Sequence, residues 1–207
     1  MHTKIKPLFF ALLMGLMAIF AFSGVSLASE FSADIVMKGG PMPGKGKVWV
    51  KGQKMRQEFG DQAGKMIMIM DLNKGYSWML MPEAEAYIKN KMDTKGKGFR
   101  PENFAGMQQG QMQSQIKRLG TETVNGYECD KYLITFKDER MGTMTQWFAK
   151  KLGYPIKMIN KSDMMGEVVT ELRNIKKGNV QDFLFKIPPG YREMERPQIP
   201  QMPTKTQ

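Results

Sequence analysis

The chain has 207 residues, and its 31 lysines and arginines against 20 aspartates and glutamates give a net charge of +11. It holds 21 methionines but one histidine, His2, and one cysteine, Cys129. Ser-His-Asp and Cys-His nucleophile sets, c-type haem attachment and the usual zinc sites are therefore excluded once His2 leaves with the leader described next, and a lone thiol closes no internal disulfide.

Residues 1–28 read as a secretory signal peptide. Lys4 and Lys6 form the positive n-region, an apolar run follows, and Ser26-Leu27-Ala28 supplies the small residues of a cleavage site. Cleavage leaves residues 29–207 with a net charge of +9, enough chain for one domain (29–194) with a sizeable core. The lysines are spread along the chain beside turns, which points to a solvated surface and not to nucleic-acid binding; an anionic lipid surface stays open.

Alternating apolar positions and frequent turn signals predict a meandering antiparallel sheet. The expected strands are 31–37, 47–51, 54–59, 65–71, 76–81, 86–91, 121–124, 127–136, 141–150, 155–160 and 166–176, with 181–194 closing the domain. Asn125-Gly126 marks a tight hairpin. The pattern breaks at 100–120, where Pro101 and Glu102 suit a helix start. Phe104, Met107, Ile116 and Leu119 fall roughly on one side, so an imperfect amphipathic helix over 101–119 is expected to cover the sheet. The tail 195–207 is Pro-rich, offers little to bury and is expected to be disordered.

The stretch "KMIMIMDLNKGYSWMLM" (65–81) places methionine at every second position of two successive strands. Met66, Met68 and Met70 share one face; Ile67 and Ile69 share the other. A four-residue loop, Leu72 to Gly75, would set Met79 and Met81 on the same face as those three methionines. A three-residue loop, Asn73 to Gly75, would instead bring Met68 opposite Leu80 and Met70 opposite Trp78. Three roles compete for such a face: ordinary core, a pliable lining for apolar guests, and a soft thioether site for Cu(I). Cys129, in a strand-like run, reads as a buried inert thiol.

The order of "GKGKVWVKGQKMRQEF" (44–59), "IMIMDLNKGYSWMLMPEAEAYIK" (67–89), "VNGYECDKYLITF" (124–136), "WFAKKLGYPIKM" (147–158) and "ELRNIKKGNVQDFLFKIPPGY" (171–191) resembles the periplasmic lipoprotein carrier LolA, the receptor LolB and their superfamily. It is most similar to an exported domain family of that clan with no assigned function. The resemblance implies a mainly β fold: a strongly curved antiparallel sheet forming an unclosed barrel, its apolar concave face lidded by helices. Acyl chains bind between sheet and lid in the carriers. Two departures stand out. The arginine that follows "WVK" in the carrier and ties down its lid is Gly52 here, and no helix precedes the strand at Phe31.

Together these readings lead to an exported periplasmic binding module, not an enzyme, without cofactor or metal, that holds a lipid or other acyl ligand in a half-barrel. The expected lining is Met66, Met68, Met70, Trp78, Leu80, Phe104, Met107 and Trp147. A membrane surface or an envelope protein is a further possible partner. The alternatives from other classes are a Met-rich Cu(I)-handling protein and an envelope scaffold or sensor.

Overall fold

The computed structural model describes residues 29–40, 44–61, 64–92, 99 and 114–195. Among the described residues, twelve strands form a single sheet: β1 Glu30–Lys38, β2 Gly44–Lys51, β3 Lys54–Asp61, β4 Gly64–Asp71, β5 Tyr76–Met81, β6 Ala86–Lys91, β7 Ser114–Val124, β8 Tyr127–Phe136, β9 Thr143–Ala149, β10 Tyr154–Ser162, β11 Gly166–Lys177 and β12 Arg192–Glu193. In space they run β12-β6-β5-β4-β3-β2-β1-β11-β10-β9-β8-β7, so β7 and the β6/β12 pair are edges and the barrel is not closed. Two meanders, β1 to β6 and β7 to β11, are joined where β1 pairs with β11.

Local chemistry sets the turns. Gly52, at φ +59°, opens the two-residue connection between β2 and β3, a backbone conformation that favours glycine. Its N–H donates to the carbonyl of Ser29 at 2.8 Å. The position of the carrier's arginine is thus a turn that ties the start of β1 to the β2–β3 corner. Asn125 and Gly126 both take positive φ, as a tight hairpin with right-handed twist requires. Register shifts at Ser32/Asp34, Pro155/Lys157 and Arg118/Gly120 add local twist and bend the strands.

The bend brings distant strands together. Tyr154 on β10 donates its hydroxyl to Met55 Sδ on β3 at 2.7 Å, and Gln57 Nε2 of β3 donates to the same hydroxyl at 3.4 Å. The concave face therefore encloses a core of Phe31, Ile35, Val48, Val50, Met55, Met70, Ile134, Met144, Tyr154 and their neighbours. Phe99 enters this core from the β6–β7 connection and packs edge-on against Tyr154, as Phe31 does from the first strand.

A second, smaller cluster lies on the outer face of β4 and β5. Ile67, Ile69 and Leu80 are buried there against Trp78, Tyr87, Phe185 and Tyr191. The C-terminal segment provides the cover: a 3-10 turn at Asp182–Phe185 crosses the outer face, then β12 pairs in parallel with the start of β6. The outer face of the central hairpin is thus covered, while its concave face is buried at the Met70 end and half-buried towards Met66.

One sequence expectation is corrected. Ser114–Leu119, expected as the end of a helix, is the beginning of edge strand β7. The three-residue spacing of Ile116 and Leu119 imitates a helix face, but Ile116 pairs with Ile134 and packs on the core while Leu119 is 47% exposed. The remainder of the expected helix, 101–113, lies outside the described residues. Among the described residues no helix is long and apolar enough to cross a membrane.

Candidate functional site: a methionine ladder on the concave face

The loop between β4 and β5 has four residues, since Asp71 pairs with Tyr76. This register decides which side chains share a face. Met68 pairs with Met79, and Met79 with Ile88. On the other side, Met68 pairs with Gln57 and Met66 with Phe59. Alternation then sets Met81, the partner of Ala86, beside them. The result is a ladder of methionines across β4 and β5, continuous with Phe59 of β3 and Ile88 of β6.

The ladder changes character along the strands. At one end Met70 and Met55 are fully engaged in the core, where Met55 accepts the Tyr154 hydroxyl. Met68 is half-buried and rests on that core. At the other end Met66, Met79 and Met81 are half-buried and, among the described residues, belong to neither buried cluster. A methionine has three rotatable bonds and a polarisable sulfur, so such a strip can reshape around an apolar surface laid on it.

The expected lining is divided by this register. Met66, Met68 and Met70 face the concavity; Trp78 and Leu80 point to the opposite face, beneath the C-terminal segment. Phe104 and Met107 lie outside the described residues. Trp147 is on the outer face of β9. It pairs with Lys131 on one side and Lys157 on the other, and both ammonium groups sit over its ring, at 4.8 and 4.7 Å from the centroid. Its indole N–H donates to Glu122 Oε2 at 2.9 Å. Trp147 is therefore buried under a cation–π layer of lysines, and it is also a member of the main buried cluster.

Several site residues escape sequence reasoning. Met79 and Met81 were visible as a pattern, but only the loop length assigns their face. Phe99 gave no signal, being a single aromatic among glycines and lysines. Gln146 and Asn160 read as ordinary strand positions, yet both lie on the concave face, because Gln146 pairs with Met158 and Asn160 with Met144.

Charge beside the ladder is fixed by an ion cluster on the outer face. Arg56 Nη2 and Lys65 Nζ approach the two Glu58 carboxylate oxygens at 2.6 and 2.7 Å. Burial opposes the charge on Glu58, but hydrogen bonds from Lys65 and Arg56 together outweigh it and hold the carboxyl below its ordinary range. Arg56 also donates to the Leu184 carbonyl at 2.9 Å, which pins the C-terminal segment. An open groove of about 660 Å³ on this side is lined by charged residues, Lys45, Lys47 and Glu58 among them, and by apolar Ile35, Val36 and Phe59. Among the described residues no three His, Cys, Asp or Glu side chains are grouped to hold a metal.

The chain belongs to DUF4412, a domain of unknown function. The family model matches residues 34–153 and 142–191, which meets the expectation of a family without assigned function. No curated protein matches this DUF4412 chain. An uncharacterized conserved protein from Thermus thermophilus has a similar structure, with TM-score 0.55 and 11% identity over 82% of this chain and 92% of that one. PNGF-II matches with TM-score 0.53 and 12% identity over 82% of this chain, which spans only 31% of PNGF-II. LolA superfamily protein NE2245 from Nitrosomonas europaea also matches, at TM-score 0.37 and 11% identity, covering 77% and 90% of the two chains. At these identities the likeness is one of fold.

Proposed function

We propose that this DUF4412 protein is an exported, non-enzymatic binding module that holds a lipid or other acyl-type guest against the concave face of its open sheet. The observation that carries this reading is the methionine ladder: Met66, Met79 and Met81 are half-buried on the concave side and belong to neither buried cluster. Covering such side chains with an acyl chain is favourable by about 25 cal/mol per Å² of apolar area removed from water. The guest contacts the ladder; Met70 and the Met55–Tyr154 contact form the floor beneath it. Export rests on the leader-like residues 1–28, and periplasmic location on that leader together with the LolA-like architecture.

Native mass spectrometry of protein purified from the periplasm tests this directly, together with displacement of a fluorescent fatty acid. A co-purifying lipid and saturable displacement are expected. A bare protein that neither carries lipid nor takes up the probe would refute the reading. Recovery of one recurrent protein partner with no lipid would favour a scaffold instead.

A further inference from the structure

The concave face carries two acceptors with nothing to accept among the described residues. Gln146 is fully buried, and its Oε1 has no hydrogen-bond partner; Asn160 Oδ1 is likewise buried and unpartnered. Gln146 Nε2 meets Met158 Sδ, at 3.9 Å. A thioether can accept from that amide nitrogen but has no hydrogen to give, so the contact fixes the nitrogen toward sulfur and leaves the carbonyl oxygen bare. Leaving a buried carbonyl oxygen unpaired is costly, and native interiors rarely tolerate it without a partner.

The two oxygens are neighbours by register. Gln146 pairs with Met158, and Asn160 lies two residues further along β10, opposite Met144. Diagonal side chains on one face of a sheet lie about 7–8 Å apart at their Cα atoms, within reach of a shared partner. The pair also belongs to the correct end of the hollow. Tyr154 and Met55 close one end. Counting along β10 away from Tyr154 leads to Asn160, and counting along β4 away from Met70 leads to Met66.

We propose, resting on the apolar-guest reading above, that Gln146 and Asn160 are a polar recognition element of the same site, selecting guests whose apolar chain bears a hydrogen-bond donor: a hydroxyl on the chain or an amide N–H. A carboxylate or phosphate cannot fill this role, because it only accepts. A plain acyl chain would leave both oxygens stranded. Discrimination of this kind is strong, since a buried polar group left unpaired penalises the analogue that lacks the donor.

The test compares dodecanoate, 3-hydroxydodecanoate and N-dodecanoylglycine in displacement of one fluorescent fatty acid from the full mature chain. At least one donor-bearing probe should bind tenfold or more tightly than dodecanoate. Gln146→Leu and Asn160→Leu should reduce that preference to within twofold. Gln146→Met serves if Gln146→Leu does not fold. Equal binding of all three probes to the wild-type protein would overturn the selection element and leave the apolar-guest reading standing. So would a preference that survives in the variants. Failure of all three probes to bind would remove both.

Discussion

Tyr154 and Met55 touch across the concave face, hydroxyl to sulfur at 2.7 Å, although three strands separate β10 from β3 in the sheet. That contact measures how far the sheet has curled, and it closes one end of the concavity. Burial pushes the Tyr154 phenol well above its ordinary pKa of 10.0, against a weaker opposing effect from the Gln57 hydrogen bond. The neutral phenol is the form the fold accepts. The unfolded chain loses its proton first as pH rises past 10.0, so the stability from this site is intact below that value and declines above it. Thermal melts between pH 8 and pH 11 should fall more steeply for wild type than for Tyr154→Phe. At neutral pH the variant should lose about 1 kcal/mol, the worth of one hydrogen bond.

Register separates binding from folding in the central hairpin. Met79→Asp places a charge on the concave ladder, where the native side chain is half-buried and belongs to neither cluster. It should abolish fatty-acid displacement at a cost of about 1 kcal/mol of stability. Trp78→Ala, on the other face beneath Phe185 and Tyr191, should lose about 2–3 kcal/mol and retain binding. Denaturant melts and probe displacement on the two variants distinguish the faces; binding lost with Trp78→Ala alone would mean the register is shifted.

The Arg56–Glu58–Lys65 cluster makes an acid prediction. The Glu58 carboxyl titrates below its ordinary value of 4.5 in the folded protein. Its contribution is therefore present above that value and is lost as pH falls through the lower folded one. Stability should drop on acidification below about pH 4.5, and Glu58→Gln should flatten that limb. Arg56→Ala should cost about 1–2 kcal/mol, since it removes one of the two cationic partners of Glu58 and frees the Leu184 carbonyl. Faster proteolysis of the C-terminal segment should accompany it.

Cys129 is buried, and burial raises its thiol pKa while its S–H donates to the Tyr127 carbonyl at 3.3 Å. It should be inert to Ellman's reagent in the native protein and react fully in guanidinium. Rapid native labelling would contradict the packing of β8 against the core.

Most of the meander was legible because alternation and turn chemistry are local. β5, β6 and β8 begin and end where their apolar pattern does, and Asn125-Gly126 marks its own hairpin. What was not legible required knowledge of the third dimension. The loop of 72–75 permits two registers, and only the observed Asp71–Tyr76 pairing moves Trp78 and Leu80 off the methionine face. Trp147 looks like a lining residue until Lys131 and Lys157 arrive from two other strands to cover it. β7 misleads because an edge strand exposed on both sides keeps too few apolar residues to show a period of two. The second cluster depends on Phe185 and Tyr191, whose partners lie about a hundred residues earlier in the chain.

Methyl NMR of protein labelled at methionine Cε, titrated with dodecanoate and 3-hydroxydodecanoate, tests the central claim most directly. Met66, Met68, Met79 and Met81 should shift in concert and saturably, while the exposed Met164 and Met165 at the β10–β11 turn stay fixed. Shifts confined to Met164 and Met165, or no saturable shift at the four ladder methyls, would contradict an apolar guest on the concave face.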